Sequence, residues 1–283
     1  MKWTQDRSGN VEDRRGSGGG GLLGGGLITM IIAAVVYFLG GDPSAVLNSG
    51  LGSGMQQTEQ RDLTAEELKV QEFISMLTVE NEQTWEKIFA ENSMQYRPAK
   101  VIMFSGVTQS GCGTAQAAMG PFYCPNDESV YMDLSFFKEL ESRFGAQVTE
   151  FSVAYVLAHE MGHHVQNILG TLQKTEQLRR SGNYSEAEMN RVSVATELQA
   201  DFYAGLWAKY TDNREKFLEP GDIDAAISAA QAVGDDNIMQ RSQGYVQQEA
   251  FTHGSSAQRK EWFLKGYESG DIRQGNTFDQ LLR

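Results

Sequence analysis

The chain has 283 residues, 40% of them hydrophobic and 22% charged, a globular composition with room for one or two domains and a substantial core. Its formal net charge of −13 excludes a nucleic-acid partner, because binding to phosphate needs concentrated Lys and Arg, and excludes a domain that clings to anionic lipid by its charge. Cys112 and Cys124 fit a disulfide in an oxidising compartment and two buried thiols in the cytosol.

Residues 1–21 are polar and end in Gly18 to Gly21, which reads as a disordered tail. Leu22 to Leu39 is an uncharged run of 18 residues, close to the minimum for a membrane-spanning helix, and Thr29 is its one polar side chain. Lys2, Arg7, Arg14 and Arg15 precede the run and the next basic residue is Arg61. The positive-inside rule then keeps the N-terminus in the cytoplasm and exports the rest. Gly40-Gly41-Asp42-Pro43 is a poor cleavage site, so residues 22–40 read as an uncleaved, single-pass signal anchor held in the lipid bilayer. Residues 41–61 carry Pro, Ser, Asn, Gln and Gly without periodicity and read as a flexible tether. An exported domain favours the Cys112–Cys124 disulfide over free thiols.

The folded domain is expected over residues 62–283. Thr64-Ala65-Glu66-Glu67 is a capping-box pattern, followed by Leu68, Phe73, Ile74 and Leu77 at helical spacing. A second helical stretch carries Trp85, Ile88 and Phe89. Lys100 to Gly106 and Ser129 to Leu134 are short, β-prone and bounded by turn residues, so both are expected as strands. The second is a candidate edge on which an extended peptide could add as another strand. From Thr149 onward the pattern is helical: Phe151 to Leu169, Ser185 to about Tyr210, Asp222 to Val233, and Ser255 to about Tyr267. Few strands followed by many helices means an α+β fold.

The informative stretch is His159-Glu160-Met161-Gly162-His163, inside an expected helix. Residues i and i+4 stand one above the other on a helix face, so two imidazoles can reach one metal ion. Glu160 beside them is placed to take a proton from a metal-activated water. His164 points about 100° away from His163 and is read as a neighbour, not a ligand. A catalytic zinc site uses three protein ligands and leaves one position open. Glu197 and Asp201, on the next long helix, share one face with Val194, Leu198 and Phe202. Two acids on an apolar face are costly unless paired or metal-bound. Glu197 is the expected third ligand, and Asp201 is expected to accept the free N–H of a zinc-bound His. The competing reading is an exposed acidic face.

At these residues the sequence resembles the gluzincin metallopeptidases, which combine two helical histidines with a downstream Glu. More closely it resembles the bacterial neutral zinc metallopeptidase family, the YpfJ-like proteins, over nearly the whole chain. The likeness includes the basic start and anchor, Phe104-Ser105-Gly106, Cys112-Gly113, Gly120-Pro121-Phe122-Tyr123-Cys124-Pro125 and Val130-Tyr131-Met132-Asp133-Leu134. It continues through the histidine motif, Glu197 with Asp201, Gly234-Asp235-Asp236 and Thr252-His253-Gly254-Ser255-Ser256. The resemblance implies a zincin-like, mostly helical domain with a small sheet, Zn²⁺ as cofactor, a protein or peptide substrate, and residence in the bacterial inner membrane. It also implies a catalytic role for His253 at the oxyanion and a substrate-contacting role for Arg259, as for the downstream His and Arg of membrane-associated gluzincins. His253 as an ordinary loop residue beside a helix N-cap is the alternative. Two other functions compete: a non-catalytic binding module on a zincin scaffold, and a zinc hydrolase of cell-wall amides.

Overall fold

The computed structural model describes residues 1–15, 62–116 and 120–281, with all side chains there except those of Lys138 and Glu139. The expected anchor and tether, residues 22–61, lie outside the described residues. Among the described residues no helix is long and apolar enough to cross a membrane.

Four strands form the central sheet in the order β1, β2, β6, β5: β1 (Val11–Asp13), β2 (Lys100–Met103), β6 (Ser129–Met132) and β5 (Phe122–Cys124). β1 and β6 run parallel to β2, and β5 runs antiparallel to β6. Successive side chains of a strand point to opposite faces. Val101, Met103, Val130 and Met132 accordingly enter the main core against the helices, while Ile102 and Tyr131 join Phe104, Ala115 and Cys124 on the other face. That second face lies beside the hairpin of β3 (Val107–Ser110) and β4 (Gly113–Gln116), and the Cys112–Cys124 disulfide ties the hairpin turn to β5.

Two expectations are corrected here. The strand at 129–132 is interior, flanked by β2 and β5, so it has no free edge for a peptide. The segment 1–15 is not a disordered tail: it carries β1 near its end, and Met1, Trp3 and Val11 pack on the main core. Short polar sequence misled because its backbone bonds are satisfied by a distant strand.

The helices start where the side chains permit. α1 (Ala65–Glu91) opens on the reciprocal bonds between Thr64 and Glu67. It is one continuous helix where two were expected, because no Gly or Pro interrupts it. After α2 (Ser135–Phe144) comes α3 (Glu150–Ile168), capped by Thr149 and Ser152. α4 (Thr171–Ser181) leads to the long α5 (Glu186–Glu215), capped by Ser185 and Glu188. α6 (Asp222–Ala232), α7 (Asp235–Gln243), α8 (Ser256–Ser269) and the short α9 (Phe278–Leu281) complete the chain. The result is mostly helical with a small sheet, an α+β architecture.

Two close helix crossings set the positions that matter. A Cβ on Gly162 of α3 would lie 3.0 Å from the Ala200 carbonyl oxygen and 3.1 Å from its Cα, so α3 and α5 touch backbone to backbone. A Cβ on Gly205 would lie 2.0 Å from the Phe263 oxygen, and one on Gly266 2.0 Å from the Phe202 oxygen. This reciprocal pair brings α8 onto α5.

Candidate metal centre

The crossing at Gly162 turns the histidine face of α3 toward the acidic face of α5. His159 Nε2 lies 3.2 Å from one Glu197 oxygen and His163 Nε2 lies 3.6 Å from the other. The ligand atoms of His159, His163 and Glu197 all fall within 4.8 Å of one another. Zinc bonds of about 2.0–2.1 Å in a tetrahedron need donor separations of about 3.3 Å, so this set of two nitrogens and one oxygen fits Zn²⁺ with little movement.

Each imidazole is oriented from behind. His159 Nδ1 is 2.8 Å from Asp201 Oδ1, and a carboxylate only accepts, so Nδ1 carries a proton and Nε2 is the nitrogen that can ligate once it gives up its own. The network assigns His163 in the same way. Gln166 donates its amide to the Thr196 carbonyl at 2.7 Å and to Gln199 Oε1 at 3.1 Å, which leaves its oxygen, 2.9 Å from His163 Nδ1, as the acceptor. Asp201 is itself held: Tyr155 donates to Oδ1, and Arg259 donates through Nε to Oδ2 at 2.7 Å and through Nη2 to Oδ1 at 2.9 Å.

The three ligand residues line a cleft of about 590 Å³ with Glu160 and His253. His253 is reached through Asp235 at the start of α7. One Asp235 oxygen accepts the backbone N–H groups of Thr252, His253 and Gly254 at 2.7, 2.6 and 2.9 Å, and the other lies 3.1 Å from His253 Nδ1.

Residues 1–278 match the family described as "Putative neutral zinc metallopeptidase". The chain belongs to the neutral zinc metallopeptidase family. It is 43% identical over 292 residues to the protein YpfJ of Escherichia coli strain K12, covering all of both chains. It is also 44% identical over 192 residues to the protein Rv2575 of Mycobacterium tuberculosis strain H37Rv, covering 65% of this chain and 63% of that one. No solved structure matches it.

The electrostatics of this candidate metal centre follow from burial and pairing. Burial disfavours charge on His159, yet Asp201 and Glu197 together push its pKa up to about 10. Burial also penalises the Glu197 carboxylate, but His163 and His159 hold it well below the ordinary range. Glu160 goes the other way, raised mainly by burial.

Most residues expected at the site of this family member lie together. Arg259, expected to contact substrate, also lines the cleft; it is 3% exposed and donates to both oxygens of Asp201, with Tyr155 Oη 3.3 Å from Nη2. His164 is a neighbour, bonded to the Tyr123 hydroxyl at 2.9 Å and the Arg97 carbonyl at 2.7 Å. Tyr155, Gln166 and Asp235 were missed. Helix geometry could have found two of them, since Tyr155 is four residues before His159 and Gln166 three after His163. Asp235 left no such signal, because it acts across a loop 18 residues away.

Proposed function

We propose that this metallopeptidase family member is a zinc-dependent peptidase that hydrolyses peptide bonds of proteins or peptides. The observation that carries the reading is the convergence of His159, His163 and Glu197 from two helices on one point of a cleft that Glu160 also lines. Bound there, Zn²⁺ supplies Lewis acidity, lowering the pKa of water to around 7 and polarising a carbonyl. Glu160 takes a proton from the attacking water and gives it to the leaving amine, and its burial-raised pKa suits both halves of that task. His253 donates to the developing oxyanion. Its bond to Asp235 is the main cause of its raised pKa and favours the charged, donating form.

The substrate lies along β5. Among the described residues β5 pairs only with β6, and Gly120, Pro121, Phe122 and Tyr123 all line the cleft. An extended peptide added to that edge would run past the metal ligands. The apolar run 22–39 supports contact of this peptidase with a bilayer.

The test is hydrolysis of casein by the full-length, zinc-loaded protein, with peptidoglycan fragments as the comparison. Casein cleavage should be chelator-sensitive, and Glu160→Gln should lower it at least about 10²-fold while zinc content is retained. Full activity in Glu160→Gln, or unchanged zinc content in Glu197→Ala, would defeat the proposal.

A further inference from the structure

We propose that residues 1–15 are an integral part of the folded domain, on the same side of any membrane as residues 62–281. This holds whether or not the chain cleaves peptides.

The N-terminal segment is bonded into the domain along its whole length. β1 runs in register with β2, Val11 opposite Val101 and Asp13 opposite Met103. Val101 donates to the Asn10 carbonyl at 2.9 Å and Arg14 to the Met103 carbonyl at 2.8 Å. Trp3 stacks on Phe73 of α1 with ring centroids 5.1 Å apart, and its indole N–H donates to Glu150, the first residue of α3. Ser8 exchanges bonds with Ser75, donating its amide at 3.2 Å and accepting the Ser75 hydroxyl at 2.9 Å. Glu82 collects Ser8 and Asn10 at 2.8 and 2.7 Å. The family match begins at residue 1, so this segment is part of the family pattern.

The residues that argued for a cytoplasmic N-terminus are also accounted for otherwise. Arg15 pairs with Asp13 where the side chains are 8% and 4% exposed, and it donates to the Glu67 carbonyl at 2.8 Å. Arg14 donates to the Gln109 carbonyl at 3.0 Å and lies 5.9 Å from the Tyr131 ring centre. Two of the four basic residues preceding the run are therefore committed to the fold, and their orienting force on a membrane segment is correspondingly reduced.

Paired strands lie about 4.8 Å apart and a bilayer core is about 30 Å thick, so β1 and β2 cannot sit on opposite sides.

The test uses the full-length chain in cells that express it, with single cysteines at Asp6→Cys and Glu268→Cys and a membrane-impermeant maleimide applied before and after lysis. Both positions are exposed, and Cys112 and Cys124 are joined to each other. The two sites should label together, both before lysis or both only after it. Labelling of one while the other stays protected until lysis overturns the proposal. A second variant checks docking itself. Asp6 Oδ2 is 3.0 Å from Gln83 Nε2, so Asp6→Cys with Gln83→Cys should form an intrachain crosslink with a short bismaleimide. Its absence in soluble, correctly sized protein overturns the proposal as well.

Discussion

Arg259 holds both oxygens of Asp201, at 2.7 and 2.9 Å, and Asp201 in turn holds His159 Nδ1 at 2.8 Å. A guanidinium on α8 thereby fixes the aim of a metal ligand on α3 through a carboxylate on α5. None of the three side chains is more than 8% exposed.

Replacing Arg259 with Leu leaves the Asp201 charge buried and short of its partner. Stability should fall by about 3–5 kcal/mol in denaturant unfolding. Zinc affinity, measured by chelator competition, should weaken about 10- to 100-fold. A rise in KM with zinc affinity unchanged would instead support a substrate-contacting role for Arg259.

Asp201 also gives the stability a pH dependence of known sign. Burial works against its charge, but Arg259 and His159 outweigh burial and lower the folded pKa. A group lowered on folding stabilises above its unfolded value, about 3.9 for Asp, and that contribution disappears as pH falls from there toward the folded value. Unfolding free energy of the wild type should therefore drop steeply below about pH 4. The Asp201→Asn variant should be less stable at neutral pH and show a shallower slope in the same window.

Gln166 offers a finer test, because it orients His163 without carrying charge. Gln166→Leu removes the acceptor for Nδ1 and should weaken zinc binding about 10-fold or more. Gln166→Glu keeps an acceptor but loses the donors to Thr196 and Gln199, so its zinc affinity should suffer less than its stability. Equal zinc affinity in the Leu variant and the wild type would remove Gln166 from the metal centre.

Asp235 and His253 should behave as one unit. On the proposed mechanism, His253→Ala should lower kcat about 10²-fold with zinc content intact. Asp235→Ala should lower it comparably, since the loop 252–254 loses the carboxylate that receives its three N–H groups. The double variant should be no worse than the poorer single one. Additive losses in kcat would show that the two act separately.

The helical part of the site was legible in the sequence because helix geometry is local. The spacing of His159 and His163, the acids on the α5 face and the capping boxes at Thr64 and Ser185 each follow from positions three or four residues apart. What was not legible depends on long-range pairing. β1 reads as polar tail until β2 satisfies it, and β6 reads as an edge until β5 pairs with it. Arg259 carries an ordinary surface charge in sequence, and only the crossing of α8 on α5 buries it against Asp201. The anchor and tether, residues 22–61, fall outside the described residues.

Gly162 lies in sequence between the two histidines of the candidate metal centre and has no side chain to offer as a ligand. Any larger side chain there would act as a wedge, pushing α5 off α3 and lifting Glu197 away from both rings. The two unspecified letters of the histidine motif are thus unequal in this protein. Met161 fills the core, whereas Gly162 sets the gauge between the two rails on which the donors ride. Grafting the motif's letters onto another helix without that gap would reproduce the donors and not their convergence.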